Sequence, residues 1–344
     1  MDMKKQWSAP RHSLREMVNS LDGRILVAVG VGSGIDARLL HHALSDLEES
    51  GDIPEYVGGF IVFVSGYLCA AAHGVPDLGY ILRSEITRQT DTIEQASWLA
   101  ALDRGNRPYP LGVDIDTGYG NEPSAVLLTV RQAHKQGAAY VQIEDQHAIN
   151  KSCGHMEGSR GTGKSVCDLE EMMRYRLLPA LSYAREQEDL LVAARTDARG
   201  ALGLDEALRR ASAFAEAGAD MVFVEAPKGA EELARVGKEL RGCGALNIAN
   251  MVEGSGHTPR HSPRELHAMG FDIALYPVGA FLAAQHAASR YFATLLEDRA
   301  GPHPDIPDQW FDRIGALAGR DQGTTWNSLF DDAPVRAAGK DKKK

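Results

Sequence analysis

Residues 111–120 read LGVDIDTGYG, a short apolar run that ends in two carboxylates and passes into a glycine-containing turn. In a strand, residues two apart share a face, so Asp114 and Asp116 are predicted to point the same way. Carboxylates buried beside one another are costly unless a cation or a hydrogen-bond donor accompanies them. The stretch therefore indicates a buried strand whose last residues have a task other than packing.

Seven other short apolar runs follow the same plan. Together the eight runs are residues 25–30, 60–65, 111–116, 140–145, 190–197, 221–226, 246–250 and 272–277. The amphipathic segments between them include predicted helices at residues 122–135, 169–185, 204–217 and 263–269. Nearly continuous apolar strands are typical of a parallel sheet that helices cover on both faces. Strand alternating with helix eight times predicts an α/β fold, a (β/α)8 TIM-type barrel, with a doubly wound open sheet as the alternative.

Nearly every predicted strand ends in a polar or charged residue. These residues are Ser65, Asp114, Asp116, Glu144, Asp145, Arg195, Asp197, Glu225 and Asn250. Barrel enzymes place their chemistry at the carboxyl ends of the strands, where such side chains meet. Structural ion pairs explain one or two such positions, whereas six strands with polar ends indicate an active site.

The composition fits one globular enzyme domain. The chain has 344 residues, 44% of them hydrophobic and 24% charged, which suffices for a single barrel. We expect an N-terminal arm (1–12), a barrel domain (13–297) whose last helix covers residues 280–297, a C-terminal helical extension (298–338) and a disordered basic tail (339–344). The net charge of −10 disfavours nucleic acid and anionic membranes as partners.

The expected location is the cytoplasm. The four cysteines show no paired CxxC spacing, which fits a reducing compartment. The first residues contain no apolar stretch typical of a signal peptide, and no run approaches the length of a membrane span.

The carboxylates after the third and fourth runs predict a metal site. Asp114 and Asp116 share a face, and Glu144 stands at the end of the neighbouring predicted strand. A hard dication such as Mg²⁺, or Mn²⁺, prefers oxygen ligands of this kind. The alternative is that the aspartates only cap the helix that follows.

Residues 151–155 read KSCGH and place Cys153 between Lys151 and His155. Such an electropositive setting is expected to lower the pKa of the thiol, which could then transfer a proton near neutral pH. The glycines from Gly154 to Gly163 predict a mobile loop that closes over substrate. An inert surface loop is the alternative.

Arg195 ends the fifth predicted strand within the motif ARTDA, residues 194–198. An arginine here can bind a carboxylate through two parallel hydrogen bonds. The alternative is an ion pair with Asp197 or Glu225.

Two glycine-rich stretches match nucleotide-binding patterns only in part. Residues 158–165 read GSRGTGKS, but a polar segment precedes them where a phosphate-binding loop needs a buried strand. Residues 30–34 read GVGSG, but the spacing of the third glycine and the later acidic residue of a dinucleotide site are missing. Neither nucleotide site is expected.

The chain resembles the isocitrate lyase/phosphoenolpyruvate mutase superfamily over most of its length, from about residue 13 to residue 288. The resemblance lies in an ordered set of motifs: SGY (65–67), PDLG (76–79), DIDTGYGN (114–121), IEDQ (143–146), KSCGH (151–155), ARTDA (194–198), FVEA (223–226), ANMVEG (249–254) and ALYP (274–277). It implies a Mg²⁺-dependent barrel that acts on a small anionic carboxylate. It also implies a homodimer or homotetramer in which the eighth helix is exchanged between subunits.

The resemblance also assigns roles to residues. Asp114 would bind Mg²⁺ directly, and Asp116 and Glu144 would act mainly through water. Cys153 would be the general acid or base. The other expected catalytic residues are Tyr67, His155 and Lys151, and the expected substrate-binding residues are Ser65, Gly66, Gly154, Arg195, Glu225 and Asn250. Tyr67 or a metal-bound water would be the base that removes the hydroxyl proton.

The KSCGH motif favours the carbon–carbon lyases of the superfamily. Within these, CGHMEG and ANMVEG are most similar to dimethylmalate lyases and carboxyphosphonoenolpyruvate mutases, whereas methylisocitrate lyases usually carry threonine at the position of Val252. We therefore expect cleavage of a methylisocitrate- or alkylmalate-like 2-hydroxy acid to a 2-oxo acid and a carboxylate. A carbon–phosphorus mutase, a 2-oxo acid decarboxylase or hydrolase, and a catalytically inactive binding subunit are the alternatives. The segments 159–163 and 43–58 look enlarged relative to the family pattern.

Overall fold

The computed structural model describes residues 12–155, 163–255, 258–295, 306–307, 309–321 and 323. Eight parallel strands close into a barrel in which each strand pairs with the next and the last pairs with the first. The strands are β1 (Ile25–Val31), β2 (Val57–Val64), β3 (Leu111–Asp114), β4 (Ala138–Glu144), β5 (Leu191–Thr196), β6 (Met221–Val224), β7 (Leu246–Asn250) and β8 (Ile273–Tyr276). The predicted barrel is confirmed, and the open-sheet alternative is wrong.

Helices follow the strands around the outside of the barrel. They are α1 (Leu14–Asn19), α2 (Gly34–Ser50), α3 (Gly66–Ala72), α4 (Arg83–Arg104), α5 (Pro123–Lys135), α6 (Leu169–Glu171), α7 (Leu178–Ala184), α8 (Ala198–Leu202), α9 (Leu204–Glu216), α10 (Gly229–Leu240), α11 (Pro263–Met269), α12 (Gly279–Thr294) and α13 (Trp310–Leu317). The four predicted helices between strands are confirmed. The one expected at 169–185 is divided by a π-helical segment, Met172–Leu177, which the sequence pattern did not indicate.

Alternation along the strands produces two apolar layers. In β2, Ile61 and Phe63 face the barrel interior, whereas Val62 and Val64 pack against the surrounding helices. Helix α1 adds Leu14 to the interior cluster. This interior forms an apolar floor beneath the carboxyl ends of the strands, so polar side chains placed there are shielded from water on one side.

The seam between the last and first strands is tightly packed. Strand β1 pairs with β8 from Leu26 opposite Ile273 to Val29 opposite Tyr276. A Cβ atom added to Gly30 would stand 1.9 Å from the carbonyl oxygen of Pro277. Only glycine therefore allows the backbone after β8 to lie against β1.

Helix α12 follows β8 but has no buried residue. Its Phe292 side chain is 69% exposed, although barrel helices normally bury their apolar face. Helix α13 lies beside α2 and α4, where the buried Arg38 contacts Asp103 and donates to the carbonyl of Leu317. The exchanged eighth helix stays a prediction, as do the domain boundaries; residues 1–11 and 339–344 lie outside the described residues.

No helix in the described part of the chain is long and apolar enough to cross a membrane.

Candidate active site

A cavity of about 270 Å³ opens at the carboxyl ends of the strands. The predicted site residues that line it are Ser65, Tyr67, Asp114, Cys153, Gly154, His155, Arg195, Glu225 and Asn250. The remaining predicted residues are Gly66, Asp116, Glu144 and Lys151, and each contacts one of the lining side chains or shares an ion-pair network with it. The structure therefore brings the predicted site residues together in one place.

Asp114 and Asp116 form a pair of buried carboxylates beside the backbone of α3. Burial and the charge of Asp116 raise the pKa of Asp114 to about 7. Asp116 has a left-handed backbone (φ 50°), which is uncommon for a residue other than glycine. A Cβ atom on Gly66 would stand 3.2 Å from Asp116 Oδ1 and 3.3 Å from Asp114 Oδ2. Both carboxylates thus lie close to the backbone of Gly66, on the side where a Cβ atom would point.

These carboxylates are oxygen ligands of the kind that Mg²⁺ prefers, but they are not arranged as a complete ligand set. Among the described residues, no three Asp, Glu, His or Cys side chains form a ready ligand set. Asp116 instead contacts Lys151, and Glu144 contacts Arg195 and accepts a hydrogen bond from Gln146. Mg²⁺ usually keeps several waters and few protein ligands. The assignment of Asp114 as the direct ligand, with Asp116 and Glu144 acting through water, remains a prediction that these contacts allow.

Lys151 is buried between two carboxylates. Its Nζ lies 2.8 Å from Asp116 Oδ1 and also contacts Asp77. Burial alone would lower the pKa of Lys151, but Asp116 and Asp77 raise it well above its ordinary value, so the amine stays charged. The carbonyl of Asp77 accepts a 2.8 Å hydrogen bond from the Cys153 N–H. Asp77 was not among the predicted site residues, although the motif PDLG contains it.

The predicted lowering of the Cys153 pKa is wrong. Burial, reinforced by the negative charge of Asp77, raises the pKa of the thiol to about 12. The side chains of Lys151 and His155 are directed at Asp77 and Glu225 instead of at the thiol. The backbone N–H of His155 and the charge of Arg195 lower the pKa of Cys153, but burial outweighs them. The thiol therefore stays protonated near neutral pH and can act as a proton donor.

Arg195 lies at the centre of an anionic ring. It donates to both oxygens of Asp197 at 2.8 and 3.0 Å. Its Nε also lies 3.3 Å from Glu144 Oε2 and 3.5 Å from Glu225 Oε2. The ion pairs with Asp197 and Glu225, posed as the alternative to a carboxylate clamp, are thus present. Arg195 lines the cavity as well, so both roles are open to it.

Glu225 organises the opposite wall of the cavity. Its carboxylate lies 2.7 Å from His155 Nδ1 and accepts from Asn250 Nδ2 at 3.3 and 3.4 Å. Burial opposes ionisation, yet Arg195 and His155 hold the pKa of Glu225 well below its usual range. A Cβ atom on Gly154 would stand 2.2 Å from the Glu225 carboxyl carbon, so only glycine fits there. Together these contacts fix the Cys153–His155 segment against β6 and β7.

The described part of the GSRGTGKS stretch does not form a phosphate-binding loop. Lys164 is paired with Asp197, and the next helix begins only at Leu169. Residues 158–162 of this stretch lie outside the described residues. Gly34, in the other glycine-rich stretch, starts α2, where the side chain of Asp36 accepts from the N–H of Gly32.

The closed barrel and the charged cavity at its carboxyl end define an α/β-barrel enzyme that acts on a small polar molecule. The chain belongs to the phosphoenolpyruvate phosphomutase family, whose model matches residues 48–296. The predicted superfamily is thereby confirmed.

Two curated relatives of the chain are named as lyases. A 2,3-dimethylmalate lyase from Eubacterium barkeri is 37% identical over 238 residues, which cover 69% of this chain and 74% of the relative. A 2-methylisocitrate lyase from Aeropyrum pernix is 33% identical over 300 residues, 87% of this chain and 83% of the relative. The solved structure of an oxaloacetate acetylhydrolase with the inhibitor 3,3-difluorooxalacetate aligns with a TM-score of 0.75 and 26% identity, covering 92% of this chain and 95% of that one. The predicted lyase class is confirmed at this level.

Proposed function

We propose that the chain is a Mg²⁺-dependent lyase that cleaves a carbon–carbon bond of a 2-hydroxy di- or tricarboxylate. The products are a 2-oxo acid and a second carboxylate. The observation that carries the proposal is a protonated thiol, Cys153, held in a cavity that also contains Asp114 and Arg195. The two lyases named above support an alkylmalate- or methylisocitrate-like substrate.

Asp114 would hold the Mg²⁺, with Asp116 and Glu144 binding its waters. When bound, Mg²⁺ supplies Lewis-acid stabilisation of the negative oxygen that develops beside the cleaved bond. The raised pKa of Asp114 fits this assignment, because a nearby cation would favour the ionised carboxylate. Mn²⁺ prefers similar ligands and is a second candidate.

The substrate carboxylates would be bound by Arg195 and Asn250, by His155, and by the backbone at Ser65 and Gly66. Tyr67 lines the same cavity and is the candidate base, with water as the alternative. Burial and the neighbouring Cys153 raise the pKa of Tyr67, which favours the neutral phenol.

Charges and protons balance in the proposed cleavage. The base removes the proton of the 2-hydroxyl group, a carbonyl forms there, and the adjacent carbon–carbon bond breaks. The electron pair of that bond passes to the departing carboxylate fragment as an enolate. Cys153 donates its Sγ–H proton to the carbon of this fragment. The protonated base then releases its proton to solvent, and the thiolate regains one from solvent.

We also propose that the chain assembles as a homodimer or homotetramer through α12. The support is that α12 is mostly apolar in sequence, yet none of its residues is buried within the single chain. Size-exclusion chromatography with light scattering would measure the assembly; a monomer at micromolar concentration would contradict the proposal.

The test of the activity is a substrate panel with Mg²⁺: 2-alkylmalates, methylisocitrate and isocitrate, with oxaloacetate and phosphonopyruvate as the contrasting arm. Lactate dehydrogenase coupling reports pyruvate, and a separate assay reports glyoxylate. We expect EDTA-sensitive release of a 2-oxo acid from one hydroxy acid. Turnover of none of the hydroxy acids would refute the lyase proposal.

A hydrolase acting on oxaloacetate is the second candidate function. The structural similarity to the acetylhydrolase favours it. Release of oxalate and acetate from oxaloacetate, with the hydroxy acids unchanged, would establish this candidate instead. Phosphonopyruvate turnover would favour the phosphorus branch of the family.

A further inference from the structure

Lys164 forms a buried bridge that none of the roles above uses. Its side chain is only 8% exposed, and its Nζ lies 2.9 Å from Asp197 Oδ1. The same Nζ donates to the carbonyl oxygen of Gly154. One ammonium group therefore connects the end of β5 to the residue that follows Cys153.

The carboxylate at one end of this bridge is rigidly held. Asp197 is almost fully buried, and its backbone N–H donates to Asp145 Oδ1 at 2.8 Å. Its side chain also takes both hydrogen bonds from Arg195. Asp197 thus shares its charge between Arg195, which is proposed to bind substrate, and Lys164.

The other end of the bridge is a backbone carbonyl beside the thiol. The Gly154 position is already restricted because any Cβ atom would overlap the Glu225 carboxylate. On the preceding side, the Cys153 N–H donates to the Asp77 carbonyl. Lys164 adds the hydrogen bond to the carbonyl of Gly154, so the peptide before Cys153 and the Gly154–His155 peptide each have a partner outside their own segment.

We propose that Lys164 is a positioning residue that fixes the Cys153–Gly154 backbone to Asp197 and so aims the thiol at the substrate held by Arg195. Because Asp197 contacts both cations, the thiol and the substrate-binding arginine take their positions from one carboxylate. This inference rests on the proposed proton-donor role of Cys153.

The experiment compares Lys164→Met with Lys164→Arg, and uses Lys238→Met, an exposed lysine on α10, as the matched control. Methionine keeps most of the apolar stem and removes the donor and the charge. A misplaced reacting group costs about 100-fold in rate, so kcat of Lys164→Met should fall by about that factor. Its KM should change by less than about threefold, because the residue does not touch substrate. Lys164→Arg should recover part of kcat, since it can still pair with Asp197.

A second readout does not depend on turnover. Iodoacetamide labelling at pH 8, followed by peptide mass spectrometry, measures how often Cys153 becomes accessible. Loss of the bridge should speed its labelling about tenfold through local opening. The buried Cys69 and Cys167 should stay protected, as in the wild type.

Unchanged Cys153 labelling and unchanged kcat in Lys164→Met would overturn the proposal. An equal rise in the labelling of Cys69 and Cys167, with a lower melting temperature, would also overturn the proposal. Lys164 would then stabilise the fold as a whole. Inactivity of the wild type on every hydroxy acid would refute the proposed function. The rate of Cys153 labelling in Lys164→Met relative to wild type would still decide whether Lys164 positions the Cys153 backbone.

Discussion

Two consecutive carboxylates at the end of β4 face opposite sides of the barrel wall and have different surroundings. Asp145 faces outward and accepts from Thr196 Oγ1, Asp197 N and Arg210 Nη1 at 2.7 to 2.9 Å. Glu144 faces inward and shares Arg195 with Asp197 and Glu225. The outer carboxylate has a full set of donors, whereas the inner ring gathers three carboxylates around Arg195, of which Asp197 also pairs with Lys164.

The difference separates stability from function on one strand. Fully satisfied buried polar groups make a structure rigid, and under-compensated groups at a cavity are kept for a ligand. The outer group of Asp145, Thr196 and Arg210 should therefore control folding. The inner ring should control turnover, and Glu144 within it should tolerate a loss of charge.

Replacing Asp145 by asparagine should have the largest effect. The buried Arg210 would lose its buried partner and keep only the part-exposed Glu206 as a carboxylate. Breaking a buried pair costs about 3–5 kcal/mol. Urea unfolding followed by circular dichroism measures the loss. The matched control is Asp205→Asn, whose carboxylate is 87% exposed beside Arg235 and should change stability by less than about 1 kcal/mol. Equal losses in the two variants would erase the contrast between the inner and outer carboxylates.

Replacing Cys153 by serine should affect turnover alone. Loss of the proton donor should lower kcat by about 100-fold or more, while the free energy of unfolding and the binding of Mg²⁺ and product stay close to wild type. Steady-state kinetics measures kcat, and calorimetry measures unfolding and the binding of Mg²⁺ and product. Cys243→Ser, at a half-buried position, is the control. Unchanged turnover would remove Cys153 from the mechanism.

The inner ring should also make stability depend on pH. The folded pKa of Glu225 lies well below its ordinary value of 4.5, because Arg195 and His155 outweigh burial. The contribution of Glu225 to the free energy of unfolding is therefore fully present above about pH 5. It is lost as the pH falls below that value, because the unfolded chain takes up a proton that the folded chain does not. The loss is at most about 1.4 kcal/mol per pH unit. Unfolding of wild type and Glu225→Gln should be compared at pH 6, 5 and 4. A difference between the two that is independent of pH would contradict the depressed pKa.

Replacing Glu144 by glutamine should have the smallest effect on stability. Glutamine keeps the shape, and burial, reinforced by the charge of Asp197, raises the pKa of Glu144 well above its ordinary value, so an uncharged side chain is tolerated at this position. We expect a change of less than about 1 kcal/mol in urea unfolding, alongside reduced Mg²⁺-dependent turnover. A loss as large as that of Asp145→Asn would show that the inner ring is structural too.

Much of this architecture could be predicted from the chain. Apolar runs with polar ends locate all eight strands within three residues of their bounds, because burial on both faces leaves a clear local pattern. The same ends locate Asp114 and Arg195 in the cavity and place Glu144 beside Arg195. These predictions depend only on local sequence and on the parallel order of the strands.

The rest depends on contacts between distant segments. Neighbours in sequence suggested that Lys151 and His155 would act on Cys153, but each faces a carboxylate from another segment, Asp77 or Glu225. Lys164 matched a phosphate-binding pattern, and only the fold reveals its pairing with Asp197. Local composition also gave no sign of the π-helical segment Met172–Leu177.

The contact between Gly30 and Pro277 has a consequence for synthesis of the chain on the ribosome. The two residues stand at opposite ends of the barrel sequence, so β1 lacks its neighbour β8 until nearly the whole domain has been translated. Contacts between such distant segments slow folding, and an unpaired strand edge invites aggregation. The nascent barrel therefore exposes an open edge for most of its synthesis, and a side chain at position 30 would prolong that exposure by blocking the final closure.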